Sequence, residues 1–520
     1  MKARLIRFLF GLHRWMGVVL GLLMLVWCLS GFVMLFVPYP ATSGDGHDLR
    51  RDGLARIALP AVERAPPDDA IPKDAKLVSV RVEMLAATPV LRLRWRGKGG
   101  GGGGTFDIAS GERIAAIDPA RAIAVATTYA ERHGIQARPS IKRSSERDEF
   151  TVYGGFNPDR PLWQVRLNDG AKTMLYVSST SGEVKQITTA SQRVWSWLGA
   201  IPHWLYFSEL RKDARLWTQV IIWSSLAGCF LTTLGLFVGI RQLRRRHSTG
   251  KLASPYRGVK SWHHRLGLVF GVLVLTWTFS GFTSMQPWGW LETGEQAGDA
   301  ASRYSDGDKS WPETRVSLLR QIAALRAAST ADPASQVVQL ASSASAGDLY
   351  FIRTAADGSR QRFSEDAQPA PFDAIGWRRA GELLASDKGP AAVELMTKED
   401  TYFYKGAAAS DLPVVRVTVP AMQQTRFYLD PVSGQIVATA DPGDRGFRWW
   451  HLALHRLDFA SWVRFGWVRQ ILVIGLLAGA SAVSGIGAWM GVRKLLRGGK
   501  LDGLPGDELE TGSRKPEATS

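Results

Sequence analysis

The chain reads HRWMGVVLGLLMLVWCLSGF from His13 to Phe32 and HHRLGLVFGVLVLTWTFSGF from His263 to Phe282. At a constant offset of 250, His13 answers to His263, Gly17 to Gly267, Gly21 to Gly271, Trp27 to Trp277, and Ser30-Gly31-Phe32 to Ser280-Gly281-Phe282. Self-similarity at a fixed spacing marks a repeated structural unit. The sequence therefore reads as a tandem duplication, each copy opening with a histidine at the mouth of an apolar run.

Length decides what those runs are. Four stretches carry no charged residue over 20 positions or more: Trp15–Val37, Leu216–Ile240, Leu266–Leu291 and Gln470–Val492. About 20 helical residues span the roughly 30 Å hydrocarbon layer of a bilayer, so four transmembrane helices are expected. The basic lead MKARLIR also suits a signal peptide, but the apolar run is too long, no small-x-small site closes it, and its copy lies in mid-chain. The return helices match as well, with Gly239-Ile240-Arg241-Gln242-Leu243 answering Gly491-Val492-Arg493-Lys494-Leu495 at an offset of 252. Parallel repeats imply a pseudo-two-fold axis along the membrane normal.

The 520 residues carry a net charge of +17, which in a soluble protein raises nucleic acid as a partner. Membrane lipid accounts for it more simply, and no nucleic acid is expected. Lys2, Arg4 and Arg7 precede the first span, Arg241, Arg244, Arg245, Arg246, Lys251, Arg257 and Lys260 fill the short middle loop, and Arg493, Lys494, Arg497 and Lys500 follow the fourth span. The positive-inside rule then places both termini in the cytoplasm and both long segments outside. Cys28 and Cys229 both fall in apolar spans, so no exported disulfide framework is expected.

The expected layout is a first membrane helix within 1–40, an external module over 41–200, an interfacial segment and second helix over 201–245, and a cytoplasmic loop over 246–262. A third helix over 263–291, a second module over 292–445, an interfacial segment and fourth helix over 446–497, and a disordered tail over 498–520 complete it. In the first module, period-two alternation over Leu77–Arg96 predicts a strand, Asp118–His133 an amphipathic helix, and Leu162–Leu167 and Met174–Val177 further strands. In the second, Thr314–Ala328 and Pro371–Ala385 read as helices, and Asp348–Thr354, Val414–Val419 and Thr425–Leu429 as strands.

One phrase recurs in these modules: Phe106-Asp107-Ile108-Ala109-Ser110-Gly111-Glu112, Tyr176-Val177-Ser178-Ser179-Thr180-Ser181-Gly182-Glu183-Val184, and Tyr428-Leu429-Asp430-Pro431-Val432-Ser433-Gly434-Gln435-Ile436-Val437. It predicts a strand, a tight turn in which Asp or Ser binds backbone and Gly takes positive φ, and a return strand. With its spacing, and with four helices flanking two such segments, the chain resembles the PepSY-associated transmembrane family. The resemblance covers nearly all of the chain apart from the tail. It implies an α-helical membrane protein with four transmembrane helices in two parallel tandem repeats, plus two periplasmic α+β PepSY-like modules.

Of the nine histidines, His47, His133 and His247 lie in polar stretches, and six lie near the ends of apolar spans. A lone interfacial histidine is usually a polar anchor, but here repetition pairs them: His13 with His263, and His203 in IPHWLYF with His455 in ALHRLDF at an offset of 252. Two neutral imidazoles facing each other between helices are what a haem b iron needs above and below, and closed axial positions suit electron transfer rather than gas binding. Two haems are expected, one near each membrane face. His264 and His451 have no repeat partner and stand as alternative ligands to His263 and His455. Lys212 and Arg464 are candidates for the outer propionates, and Arg14 and Arg265 for the inner ones, against a plain headgroup-contact reading. Trp27 and Trp277 line a haem edge or simply pack in the core, and the glycines at 17, 21, 267 and 271 admit a close backbone or a flat ring.

The resemblance implies iron-regulated inner-membrane proteins and ferric-siderophore reductases, in which membrane histidines bind haem b; His13-Arg14-Trp15-Met16-Gly17 and His263-His264-Arg265-Leu266-Gly267 carry it at the ligand positions. The leading reading is an oxidoreductase that passes electrons outward to a periplasmic ferric chelate such as a ferric siderophore. No Gly-x-Gly-x-x-Gly opens an expected helix after a strand, so a quinol or a separate flavoprotein is the expected donor. Two other classes compete: a membrane-anchored PepSY protein binding a periplasmic protease or peptide, and a transporter, for which four spans without interior charge are few.

Overall fold

A computed structural model describes residues 2–40, 71–72, 75–97, 100–136, 138–245, 252–292, 294–306, 310–327, 336–404, 412–459 and 466–496. In chain order, α1 (Lys2–Phe36) is followed by β1 (Lys76–Leu85), β2 (Thr88–Gly97) and β3 (Gly100–Asp107), then α2 (Pro119–Arg132). The meander β4 (Ser140–Ser145), β5 (Leu162–Arg166), β6 (Met174–Ser178) and β7 (Val184–Thr188) leads through α3 (Ala190–Leu198) and α4 (Ala200–Trp204) to α5 (Ala214–Gln242). A two-residue ribbon of β8 (Arg244–Arg245) and β9 (Leu252–Ala253) precedes α6 (Gly258–Thr283). Next come α7 (Glu295–Ser305), α8 (Trp311–Ala327), β10 (Val337–Ser345), β11 (Asp348–Ala355), β12 (Arg360–Phe363) and α9 (Ala374–Ala385). The last run is β13 (Ala392–Met396), β14 (Val414–Val419), β15 (Thr425–Leu429), β16 (Ile436–Ala440), α10 (Pro442–Phe447), a π-helical turn over Arg448–Ala453, α11 (Leu454–Arg456) and α12 (Trp467–Leu496). The expected tail over 498–520 lies outside the described residues.

Packing divides the chain into two units, one drawn from Met1–Phe32, Val220–Phe282 and Phe459–Ser520, the other from Val33–Gln219 and Thr283–Asp458. The first unit is helical. Four helices are long and apolar enough to cross a membrane, over Arg4–Phe36, Ala214–Gln242, Gly258–Thr283 and Trp467–Leu496. Glycine lets them approach: a Cβ on Gly21 of α1 would lie 3.3 Å from the Ala488 Cα of α12, and one on Gly271 of α6 would lie 2.6 Å from Leu236 of α5. These are one contact made twice, since Gly271 answers Gly21 at 250 and Ala488 answers Leu236 at 252.

Helix α1 runs Lys2–Phe36, inside the expected 1–40, with His13 well within the helix at the start of its apolar run. One boundary differs from expectation. The third span, expected to reach Leu291, stops at Thr283 because Pro287 removes a donor and Gln286 and Trp288 take positive φ.

The second unit is α+β. Its six-stranded sheet runs β12-β11-β10-β1-β2-β3, so the first strands of the two long segments pair side by side, with Arg81 opposite Ala341 and Val82 opposite Leu340. Helix α8 covers one face with Trp311, Leu318 and Ile322, which join Val80, Val82, Leu91, Leu93, Leu340 and Phe351 in one core. A buried network crosses the seam: Arg92 pairs with Glu83 at 2.5 Å and Gln339 donates to Glu83 at 3.0 Å. Two further four-stranded sheets are β4-β5-β6-β7 and β13-β14-β15-β16. Asp118 caps α2, accepting from Arg121 N at 2.7 Å, and the helix buries Ala122, Val125, Ala126, Tyr129 and Ala130 against Val165, Leu175 and Val177, the i, i+3, i+4 stripe its sequence shows. The single strand expected over Leu77–Arg96 is a hairpin that turns at Ala86, whose φ is 51°; period-two alternation runs through that turn because no Gly, Asn or Asp marks it.

Candidate functional site

The first histidine pair comes together in the helical unit. His13 and His263 stand with ring centroids 6.5 Å apart and planes at 37°. His13 Nδ1 lies 3.2 Å from the carbonyl oxygen of Leu231 on α5. A carbonyl only accepts, so Nδ1 carries the proton and Nε2 keeps a lone pair, the tautomer that a metal-binding imidazole needs. The ring fits over Gly235, one turn further along α5, where a Cβ would lie 2.6 Å from His13 Cε1; His263 lies against Gly487 of α12 in the same way, at 3.2 Å. Gly487 answers Gly235 at the offset of 252, so each histidine is seated on the following return helix by a matching glycine. One turn beyond the rings, Gly17 and Gly267 have no atom within 4 Å of a built Cβ, whereas Gly21 and Gly271 are the helix-packing pair.

His264 faces elsewhere. It is 8% exposed, its Nε2 donates to Gly239 O at 2.8 Å, its Nδ1 lies 2.8 Å from Ser254 Oγ, and Tyr256 packs edge-on at 5.4 Å. Both ring nitrogens are occupied in holding the α5–α6 connection, so the pairing with His13 falls to His263.

The second pair forms in the α+β unit. His203 on α4 and His455 on α11 stand with centroids 6.0 Å apart at 69°. Each helix ends two residues later on a left-handed leucine, Leu205 (φ 52°) and Leu457 (φ 50°). Each turn closes with the same bond, Tyr206 N–H to Ile201 O at 2.9 Å and Asp458 N–H to Ala453 O at 3.1 Å. A branched residue in this region costs about 1 kcal/mol or more, and it recurs at an offset of 252. The pair therefore rides on short helices of its own, not on extensions of α5 and α12. His451 stands 5.2 Å from His455 and 5.0 Å from Phe447, within the π-helical turn, a feature common at functional sites; its counterpart at 199 is the glycine that separates α3 from α4.

Behind these turns lie two loops that the histidine pattern does not reveal. Asp148 accepts from the Tyr176 hydroxyl at 3.0 Å, Gln164 at 2.9 Å and Phe150 N–H at 3.0 Å. Asp400 accepts from the Tyr428 hydroxyl at 2.9 Å, Arg416 at 2.5 Å and Phe403 N–H at 2.7 Å. Burial pushes the Asp400 carboxyl up, but the Phe403 and Tyr402 amides, Tyr428 and Arg416 outweigh it and hold it below the usual carboxylate range. The next carbonyl in each loop receives a donor beside the histidine turn: Glu149 O from the Tyr39 hydroxyl at 2.7 Å, Thr401 O from Arg448 Nε at 3.2 Å. The signal was present in the sequence, because Asp148, Gln164 and Tyr176 answer Asp400, Arg416 and Tyr428 at 252; Gly235 and Gly487 were visible by the same offset.

Lys212 is exposed and pairs with Glu209 at 2.6 Å, Arg14 and Arg265 are exposed, and Arg464 lies outside the described residues, as do His47 and His247. Trp27 and Trp277 pack on the cluster of Met24, Cys28, Val274 and Ala480, which is core packing.

Two imidazoles on one metal ion, at about 2 Å per bond, put their ring centroids roughly 6 Å apart, and both pairs meet that spacing. Among the described residues no group of three or more His, Cys, Asp or Glu is placed to hold a metal ion. No curated protein and no solved structure matches the chain. The model of the PepSY-associated TM region matches residues 10–377, which take in most of α1 and both histidines of the first pair. The chain is a multi-pass membrane protein with α+β parts, and it belongs to the PepSY-associated transmembrane family.

Proposed function

We propose that this protein is a haem b electron-transfer protein of the bacterial inner membrane, built from two tandem repeats, each carrying a PepSY-like module, that reduces a periplasmic ferric chelate for iron uptake. The carrying observation is the pair of imidazole–imidazole contacts at 6.5 and 6.0 Å, each made by residues one repeat apart. His13 and His263 would hold one haem and His203 and His455 the other; bound there, haem b would supply a one-electron carrier.

The residues of the chain do the rest. Leu231 O fixes the His13 tautomer, Gly235 and Gly487 leave room for the rings, and the left-handed turns at Leu205 and Leu457 aim His203 and His455 at each other. The open faces of Gly17 and Gly267 give a flat macrocycle a place beside the first pair. Reduction would free the metal because hard oxygen donors hold ferric ion more tightly than ferrous ion. A quinol or a separate flavoprotein would deliver the electrons on the cytoplasmic side, and the α+β unit would meet the ferric siderophore.

The test is an optical spectrum of detergent-purified protein expressed with ample haem. A reduced-minus-oxidised difference with b-type Soret and α bands is expected, and His13→Ala and His455→Ala should each remove about half of it. A colourless preparation refutes the reading and leaves a membrane-anchored PepSY protein that binds a protease or peptide.

A further inference from the structure

The two histidines of the second pair sit on matching turns held by unlike chemistry. At the His455 turn, Arg448 is 4% exposed and Asp458 6%. The Arg448 guanidinium donates to Asp458 O at 2.7 Å and lies 3.6 Å from Asp458 Oδ1, while the Tyr404 hydroxyl donates to Asp458 Oδ2 at 2.5 Å. Asp458 follows His455 by three residues, and its N–H reaches back to Ala453 O, so the ion pair closes around the turn that presents the ring. At the His203 turn the equivalent positions, 252 residues earlier, are Ser196, Tyr206 and Val152. There the clamp is aromatic: Tyr206 packs on Tyr39, Trp204 and Trp217 at 5.2 to 5.8 Å. The Arg211 guanidinium lies 4.1 Å over the Trp217 ring of that cluster, but the positions equivalent to Arg448 and Asp458 carry no charge, so the buried ion pair belongs to the His455 turn alone of the two.

Buried charges are weakly screened and act over several ångströms. The geometry points to Arg448 and Asp458 as positioning residues that set the reduction potential of the iron centre held by His203 and His455, an inference that rests on the haem reading above. The sign follows from charge. Neutralising Asp458 leaves the Arg448 cation beside the ligand, which favours ferrous iron and raises the potential. Neutralising Arg448 leaves the Asp458 carboxylate, which favours ferric iron and lowers it.

The test is a spectroscopic redox titration of the detergent-purified full chain and its Asp458→Asn, Arg448→Gln, Tyr404→Phe and Arg448→Gln/Asp458→Asn variants. The centre that disappears in His455→Ala should shift up in Asp458→Asn, down in Arg448→Gln, and return close to wild type in the double variant, with the other centre unmoved. Tyr404→Phe, which removes a donor from Asp458 and keeps both charges, should shift it down by less than Arg448→Gln. Shifts of one sign in both single variants, which a merely loosened turn would give, overturn the inference, as do equal shifts at both centres or none. A wild-type protein without haem overturns the proposed function instead, so the two failures are distinct. If Arg448→Gln does not fold, Asp458→Asn and Tyr404→Phe still give opposite signs or refute the idea.

Discussion

Glycine seats the rings of the first histidine pair, and Gly235→Ala tests that seating. A Cβ at Gly235 would lie 2.6 Å from His13 Cε1. Carbon atoms pack at about 3.5 Å or more, so the ring would have to retreat by roughly 1 Å. Its bond to Leu231 O is already 3.2 Å, and such a retreat breaks it. Gly487→Ala is the internal control, because there the distance to His263 Cε1 is 3.2 Å and a few tenths of an ångström suffice. Both substitutions gain about 1 kcal/mol of helix propensity, whereas overpacking a tight contact costs about 1–3 kcal/mol. Gly487→Ala should therefore be neutral or slightly stabilising and Gly235→Ala destabilising by about 1 kcal/mol, read as thermal midpoints in one detergent. The absorption of the centre that is lost in His13→Ala should weaken or shift in Gly235→Ala and persist in Gly487→Ala. A Gly235→Ala protein that melts higher than wild type with an unchanged spectrum would show that the ring has room, and the seating argument would fall.

Three other outcomes follow from local geometry. His264→Ala should leave the haem content intact while lowering the thermal midpoint, since both its ring nitrogens hold Gly239 and Ser254; His263→Ala should halve the content, and the reverse pattern would exchange their roles. Gly182 sits at φ 72° with the Leu85 methyl 2.6 Å from a built Cβ, so Gly182→Ala should destabilise the protein by about 1–3 kcal/mol in thermal unfolding. Desolvation, with the neighbouring Asp441 carboxylate adding to it, lifts the Asp444 carboxyl from its ordinary range to about 6. A raised folded-state pKa favours folding when the group is protonated, and that contribution is lost as pH rises from about 4 through 6. The wild-type midpoint should therefore fall across that window relative to Asp444→Asn, which keeps an acceptor for the Asp441 N–H; identical pH profiles would refute it.

What the sequence made legible, and what it hid, divides along physical lines. Apolar length and repetition located all four spans and all six histidines near their ends, because bilayer thickness imposes a run that no soluble core needs. The ends of those spans were harder, since a helix continues past the last apolar residue, as α1 does back to Lys2, until a residue such as Pro287 stops it. The three glycine turns are as expected, with Gly111, Gly182 and Gly434 all near φ 73°, because only the missing Cβ makes that backbone cheap. The pairing of β1 with β10 was not legible at all: either strand shows the same alternation whatever its neighbour. Choosing between His263 and His264 also required coordinates, because adjacent residues on a helix point about 100° apart and the sequence does not say which direction faces the partner. Repetition, followed past the histidines, carried further than composition. The offset of 252 that links His203 with His455 also links Gly235 with Gly487, Leu205 with Leu457, and the Asp148–Tyr176 contact with Asp400–Tyr428. Each histidine is thus supported by a seat or a turn that occurs twice. Where the two halves part, at Gly199 against His451 and Ser196 against Arg448, the difference lies on the His455 side alone, so the two rings of the second pair are held by unequal surroundings.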